Sequence, residues 1–189
     1  MNKGKKVLLV IVTVIVSLGL MVGCTNFGTN QKPADEDPGA IVNPNPGQEQ
    51  ITAKVYFVDA DAMYLVPEEV SITKDNRPLA ELLVERLIAG PEDPDLGIVI
   101  PAEAKLLSLE IVDGIAYVNF SQEIKTKHWG GSTGETMTIY SVVNTLAELP
   151  EINEVQFLIE GEKQESIWGH GYTMEPFSPS VEIIDPEYR

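Results

Sequence analysis

The folded part of the chain begins with apolar and polar side chains that alternate over 53–58, a pattern typical of a half-buried β-strand. The Asp-Ala-Asp sequence at 59–61 predicts a turn after this strand. Extended segments at 63–66 and 70–72 then predict a returning strand. Pro67 lies between them and predicts an edge or a bend, because proline cannot donate a hydrogen bond to a sheet ladder.

A first helix is predicted after Pro78, a residue type that suits the first helical position. Five apolar residues downstream fall at helical spacing and form one buried face: Ala80, Leu83, Val84, Leu87 and Ile88. The pair Gly90-Pro91 predicts a left-handed cap followed by a stop.

A β-hairpin is the clearest local signal. Apolar and polar residues alternate over 107–111 and again over 116–120, and Asp113-Gly114 lies between the two runs. A two-residue type I′ turn needs a positive φ at both central positions, which Asp and Gly tolerate. The sequence therefore predicts two antiparallel strands joined by this turn.

A second helix is predicted to open at Ser132, because Glu135 follows three residues later in the pattern of a capping box. Pro150 marks its end. The apolar residues at helical spacing form its buried face: Ile139, Val142, Val143, Leu146 and Ala147.

A further strand is predicted over 155–159, ending at Gly161, and a last edge strand over 181–184. The order of elements is then strand, strand, helix, hairpin, helix, strand. This order predicts an α+β fold in which two helices pack on one face of a small, mostly antiparallel sheet.

The N-terminus carries an export signal. Lysines at positions 3, 5 and 6 precede an apolar run over 7–22, which is closer to a signal-peptide core than to the roughly 20 residues of a membrane span. Gly23 and then Cys24 follow this run, and the N-terminal segment resembles a bacterial lipoprotein signal in which 1–23 are removed and Cys24 receives the lipid. We therefore expect a lipid-anchored protein on the extracytoplasmic face of the cell membrane. The alternative is an unmodified cysteine at the end of an uncleaved anchor.

Residues 24–50 are rich in Asn, Gln, Pro and Gly and carry few apolar side chains. Such a segment cannot bury enough surface to offset the entropy of ordering it. We expect a flexible tether here, followed by a single folded domain over 51–185.

The charge excludes several partners. The chain has 13 basic and 29 acidic residues, a formal charge of −16. Without the three lysines of the export signal, ten basic residues remain against 29 acidic ones, a charge of −19. A surface this acidic repels phosphate backbones and anionic headgroups, so we expect no nucleic-acid partner and membrane attachment through the lipid alone.

The motifs of metal and catalytic sites are missing from the sequence. His128 and His170 lie far apart, and no His/Cys cluster has the spacing of a zinc site. Asp59 and Asp61 are not followed by the later ligands of a calcium loop. No serine lies in a G-x-S-x-G setting. We therefore expect no metal, no cofactor and no catalytic residue.

Five ordered segments resemble the GerMN domain of sporulation and spore-germination lipoproteins. They are VYFVDADAMYLVPEEV, ELLVERLIAGPEDPDLGIVIP, LLSLEIVDGIAYVNFS, YSVVNTLAELPEINEVQFLIEG and IWGHGYTMEPF. The resemblance implies a non-enzymatic domain with an α+β fold like that of ring-building motifs, and partners among envelope or sporulation proteins. Some members carry two such domains and this chain carries one, so self-assembly into a ring is not carried over.

Three functions stay open. The first is an interaction module that contacts other proteins through a sheet edge or a helix face. The second is a binder of a cell-wall fragment or germinant in a pocket lined by aromatic residues and one histidine, namely Trp129, Trp168, His170 and Tyr172. The third is a wall-modifying enzyme that uses His170. Asn144, on the second helix, is a further candidate for partner contact or for a structural hydrogen bond.

Overall fold

A computed structural model of the chain describes residues 49–189. Cys24, the predicted export signal over 1–23 and all but the end of the predicted tether lie outside the described residues. The elements are β1 (Gln50–Val58), β2 (Leu65–Thr73), α1 (Leu79–Ala89), β3 (Leu106–Val112), β4 (Ile115–Phe120), α2 (Glu123–Thr126), α3 (Ser132–Leu146), β5 (Glu154–Ile159) and a final 3-10 turn (Pro186–Tyr188). In this part of the chain no helix has the length and apolar character to cross a membrane.

The α+β class is confirmed, and the strands divide between two sheets. β1 and β2 form an antiparallel pair, whereas the second sheet has the order β3-β4-β5. β3 and β4 are antiparallel, and β4 and β5 are parallel. The parallel pairing arises because α3 connects β4 to β5 as a crossover, which returns the chain in the same direction.

The core lies between the helices and the two sheets. α3 contacts β1 and β5, and α1 contacts β1, β3 and α3. The largest fully buried aromatic side chains are Phe57, Phe120 and Phe157, one from each of three strands. Burying a side chain of this kind stabilises the fold by about 1.5–3 kcal/mol relative to its exposure.

The expectation that β1 is half-buried along its length is wrong for its second half. All four residues of Val55–Val58 are buried, so both faces of the strand are covered there. On one side the Tyr56 hydroxyl donates to Glu148, just beyond α3. On the other, the Arg86 guanidinium of α1 lies 5.8 Å from the centre of the Phe57 ring.

The predicted hairpin is confirmed. Asp113 and Gly114 have φ values of 52° and 83°, as a type I′ turn requires. Val112 and Ile115 are paired across the turn. A side chain on Gly114 would place its Cβ 2.5 Å from Nδ2 of Asn153, so the turn needs glycine for space as well as for conformation.

Both predicted helices are present, but their ends differ from the expectation. Pro78 is the N-cap of α1 rather than its first helical residue. Gly90 has φ 86° and ψ 173°, so its φ is positive but the residue is extended and the left-handed helical cap is wrong. Its N–H still satisfies the carbonyl of Leu87.

The C-terminal segment lies at the outer edge of β2, where the sequence predicts a strand over 181–184. Leu65 N donates to Ile183 O, and Asp185 N donates to Leu65 O, at 2.8 and 2.9 Å. This is one isolated parallel bridge rather than a strand, so the predicted strand is wrong. Pro67 does lie on this edge, within a continuous β2.

Candidate functional site

Three pockets adjoin one another beside the N-terminus of α3. The first, of about 230 Å³, lies among Val58, Ile98, Trp129 and Met137. The second, of about 410 Å³, shares His128 and Gly130 with the first. The third, of about 480 Å³, shares Ser166 and Gly169 with the second. The second pocket therefore adjoins both the first and the third.

An aromatic cluster separates the first pocket from the second. The ring centre of His128 lies 5.7 Å from that of Trp129 with the planes 16° apart, an offset stack. On its other flank His128 lies 4.6 Å from Trp168, with the planes 37° apart. Trp129 is 44% exposed, so part of its ring is available to a ligand.

The hydrogen bonds of His128 define its protonation. Thr138 Oγ1 donates to Val99 O at 2.7 Å, so it accepts from His128 Nε2 at 2.9 Å. Nε2 then carries the proton, and Nδ1 is an acceptor without a protein partner among the described residues. Burial lowers the pKa of His128 below its ordinary value of 6.5, which keeps the ring neutral near neutral pH.

Glu135 fixes the loop that lines the third pocket. This carboxylate is buried, with 2% of its surface exposed, and accepts from His170 N at 3.1 Å and Gly171 N at 2.8 Å. The predicted capping box is therefore wrong: Gly131 is the N-cap of α3, no side chain caps the helix, and Ser132 is already helical. The local pattern assigned the Glu135 carboxylate to the helix end, but the carboxylate instead accepts hydrogen bonds from this distant loop.

The same loop, 164–173, is held at further points. Trp168 Nε1 donates to Ile124 O at 2.9 Å, and this hydrogen bond attaches the loop to the short helix α2. Gly169 N donates to Ser166 Oγ at 2.9 Å, and Thr173 Oγ1 donates to Gln164 O at 2.7 Å. The loop lacks regular secondary structure but has its conformation set by side-chain hydrogen bonds.

The four residues expected in one pocket are distributed over three. Trp129 lines the first pocket, Trp168 the second, and His170 and Tyr172 the third. A compact cage around one small ligand is not formed. His128, which the sequence suggested only as an unmatched metal ligand, is the residue that connects the two tryptophans.

Asn144 lies away from these pockets and is 5% exposed. Its Nδ2 donates to Ser180 O and its Oδ1 accepts from Ser180 N, both at 2.9 Å. Both halves of the amide are therefore used to fasten the C-terminal segment to α3. Of its two expected roles, the geometry supports the structural hydrogen bond.

Acidic residues form no metal site in the part of the chain that the structure describes. Residues 49–189 contain no group of three or more His, Cys, Asp or Glu side chains that could hold an ion. Oδ1 of Asp59 instead accepts from Met63 N and Tyr64 N, at 2.7 and 3.2 Å. This carboxylate shapes the turn between β1 and β2.

Two of the strand edges are covered by other parts of the chain. On β1, Tyr56 N donates to Thr145 Oγ1 at 3.0 Å, and Tyr56 O accepts from Ser141 Oγ, so hydroxyls of α3 occupy the edge. On β5, Val155 and Phe177 exchange two backbone hydrogen bonds. These contacts block strand addition at both positions.

No residue of 49–189 forms a hydrogen bond with the outer edge of β3, which carries exposed apolar side chains. β3 is the terminal strand of its sheet. Three of its apolar side chains are exposed, Leu107 by 47%, Ile111 by 38% and Val112 by 50%. Edge strands usually carry charges or cover to prevent pairing, so these exposed apolar side chains make β3 a candidate contact site.

Comparison with known proteins identifies the family. The family model described as Germane, for sporulation and spore germination, matches residues 54–165, more than half of the chain. The chain belongs to this family. None of the curated proteins matches it significantly.

Solved structures agree on a GerMN-type domain. The tandem GerMN domains of the sporulation protein GerM from Bacillus subtilis align with a TM-score of 0.60 and 21% identity, over 69% of this chain and 46% of that one. The first GerMN domain of GerM alone aligns with a TM-score of 0.58 and 22% identity, over 70% of this chain and 98% of that one. A candidate lipoprotein from Clostridium perfringens aligns with a TM-score of 0.51 and 27% identity, over 73% of this chain and 92% of that one. The chain thus spans about half the length of the tandem protein.

Proposed function

We propose that this Germane-family chain is a lipid-anchored, extracytoplasmic module of sporulation or germination that binds another protein and catalyses no reaction. The observation that carries the proposal is the open apolar edge of β3. The membership in a sporulation and germination family supports the cellular setting. The partner is an extended segment of another envelope protein, which adds a strand to the β3-β4-β5 sheet.

The backbone of β3 is suited to strand addition. In a two-residue hairpin the residues that flank the turn form a hydrogen-bonded pair, here Val112 and Ile115. Bonded and non-bonded pairs alternate, so the N–H and C=O groups of Leu109 and Ile111 point away from β4. They are free to pair with an incoming strand, and the exposed side chains of Leu107 and Ile111 give it apolar contacts.

The charges around this edge indicate the chemistry of the partner. The exposed charged residues from the middle of β3 to the turn are Glu110 and Asp113, both acidic. Like charges opposite one another across a strand pair are destabilising. The best fit is a segment in which apolar residues alternate with lysine or arginine.

The anchor and the acidic surface have complementary roles in this proposal. A formal charge of −19 without the export-signal lysines gives no electrostatic attraction to anionic lipid headgroups. Attachment therefore falls to the lipid on Cys24, since two or more acyl chains hold a protein stably in a bilayer. A tether ahead of β1 would lift the domain off the membrane, since a coil of about 25 residues spans roughly 28 Å.

The lipid part is tested by labelling with a radioactive fatty acid. Cells expressing the wild-type chain are expected to yield a labelled protein of mature size, and Cys24→Ala is expected to abolish the label. Unlabelled, full-length protein from wild-type cells would contradict the anchor without bearing on the β3 surface.

The interaction part is tested by replacing the chromosomal gene with variants and measuring spore yield and germination. Ile111→Lys places a charge in the proposed contact and is expected to reduce either the spore yield or the germination of the spores. Val181→Lys changes a residue that is 67% exposed and lies off β3, and is expected to behave as wild type. Normal spores and normal germination of an Ile111→Lys strain with wild-type protein levels would refute the proposed surface.

A further inference from the structure

The three adjoining pockets form one groove with aromatic residues along its length. Starting from α3, these residues are His128, Trp129, Trp168, His170 and Tyr172, which we call the aromatic groove. Trp129 and Tyr172, near its two ends, are 44% and 61% exposed. The second and third pockets, of about 410 and 480 Å³, lie within the roughly 300–1,000 Å³ of ordinary ligand sites, and the first, of about 230 Å³, is smaller. A series of adjoining small pockets fits a chain of small repeating units better than one bulky molecule.

The walls of the groove are held in place before any ligand arrives. The Glu135 carboxylate binds the backbone of His170 and Gly171, and Trp168 is fixed through Nε1 to Ile124 O. His128 is fixed through Nε2 to Thr138. A preorganised site loses little conformational entropy on binding, so these contacts favour binding of a ligand along the groove.

The lining changes character along the groove. The first pocket has apolar walls that include Val58, Ile98 and Met137. The second and third pockets add polar side chains that donate and accept hydrogen bonds: Lys125, Gln164, Glu165 and Ser166. Flat aromatic faces beside hydroxyl- and amide-binding groups match sugar rings, which carry C–H faces and hydroxyl edges.

We propose that the aromatic groove binds a linear polysaccharide built from N-acetylated hexosamine units. The acetamido methyl group fits the apolar first pocket. The acetamido N–H has an acceptor in Nδ1 of His128, which lines both the first and the second pocket and has no hydrogen-bond partner at that atom among the described residues. This site is separate from the β3 edge, and neither proposal depends on the other.

Charge and hydrogen bonding disfavour the other linear polymers. Lys125 and Glu165 are the two lining side chains of opposite fixed charge, so the groove has no cationic track for a polyanion such as nucleic acid. An extended peptide is captured most readily by a strand edge, and β1 contributes only its last residue, Val58, to the groove. Both polymers serve as controls.

Both tryptophans of the chain lie in the aromatic groove, so intrinsic fluorescence reports directly on its occupancy. The full chain is purified in a detergent without a sugar headgroup and titrated with chitohexaose. We expect a saturable change in emission and a matching heat by calorimetry. Cellohexaose, which has the same linkage but no acetamido groups, is expected to bind more weakly.

The variants assign the binding to the groove. Trp129→Ala and Tyr172→Ala are each expected to raise the Kd for chitohexaose about 2–10-fold, as loss of an aromatic contact does. Tyr188→Ala removes a tyrosine that is 52% exposed and outside the groove, and is expected to leave the Kd unchanged. Ile111→Lys is also expected to leave it unchanged, which separates this test from that of the β3 surface.

Three outcomes would overturn the proposal. The first is the absence of saturable binding of chitohexaose. The second is binding that Trp129→Ala and Tyr172→Ala do not weaken while near-ultraviolet circular dichroism shows intact folding. The third is equal or tighter binding of a neutral hexapeptide or of single-stranded oligonucleotides with the same dependence on these two residues.

Discussion

Glu135 and Gly171 are matched in hydrogen bonding and in the space between them. Oε1 of Glu135 accepts from Gly171 N at 2.8 Å, and a Cβ on Gly171 would also lie 2.8 Å from that oxygen. Only a glycine lets the loop backbone approach the buried carboxylate so closely. The pair fixes the end of the aromatic groove to the first turn of α3.

Loss of the Glu135 carboxylate should destabilise the protein and release the loop. Glu135→Gln removes the charge and replaces one of the two acceptor oxygens by an NH2 donor that faces one of the two backbone N–H groups, which should cost about 1–3 kcal/mol of unfolding free energy. Urea denaturation measures the loss, and hydrogen exchange should show faster exchange at His170 and Gly171. Glu103→Gln, an exposed control, should change neither. Unaltered exchange at the two amides would contradict the assigned role.

The hairpin turn should depend on the glycine at position 114. Gly114→Ala meets both a φ of +83° and the Asn153 side chain, and should destabilise the fold by about 1 kcal/mol or more. Glu103→Ala changes an exposed turn residue whose side chain bonds to none of the described residues, and should change stability little. Thermal unfolding of both variants gives the comparison. Equal losses would argue against the described turn geometry.

The edge of β1 should depend on one buried hydroxyl. Thr145→Val keeps the shape of the side chain but leaves the buried N–H of Tyr56 without its acceptor, and should cost about 1–3 kcal/mol. Thr136→Val is the matched control on the same helix, because Thr136 is half-buried and its hydroxyl donates only to Ser132 O of its own helix. Denaturant titration of both proteins decides the matter, and a neutral Thr145→Val would show that α3 does not cover this edge.

Acid should weaken the fold in part through His128. Its pKa in the folded protein lies below the ordinary value of 6.5, so the unfolded chain binds more protons as the pH falls through 6.5. Stability is then fully present above pH 6.5 and decreases below it until the folded pKa is reached. Carboxylates also titrate at low pH, so the measurement is the difference between wild type and His128→Phe in unfolding free energy from pH 8 to 5. A difference independent of pH would contradict the neutral, buried imidazole.

Elements set by local interactions could be predicted from the sequence. Asp113-Gly114 fixes a turn because its backbone conformation is open to few other residues. The faces of α1 and α3 follow from helical spacing, and Val142, Val143 and Leu146 of α3 are fully buried as expected. The strand over 155–159 is present as β5, and the alternating apolar residues Val155, Phe157 and Ile159 that predicted it are all buried.

Features set by distant contacts could not be predicted. Glu135 fits a capping box locally, yet its hydrogen bonds go to a loop 35 residues away, because two buried N–H groups need an acceptor there. His128 and Trp168 are 40 positions apart, and only the packing of loop 164–173 against α2 brings their rings together. The division into two sheets has the same origin, since residues of α3 rather than a strand occupy the edge of β1.

The central claim is that the chain binds another protein through β3, and in-cell photo-crosslinking tests it most directly. A photoreactive amino acid is placed at Ile111 or, as the control, at Val181, in the full lipid-anchored chain in sporulating cells. The account predicts an ultraviolet-dependent adduct with one envelope protein from position 111, absent from position 181, with the crosslink mapped to an extended segment of that protein. No adduct at 111, or the same adducts from both positions, would contradict it.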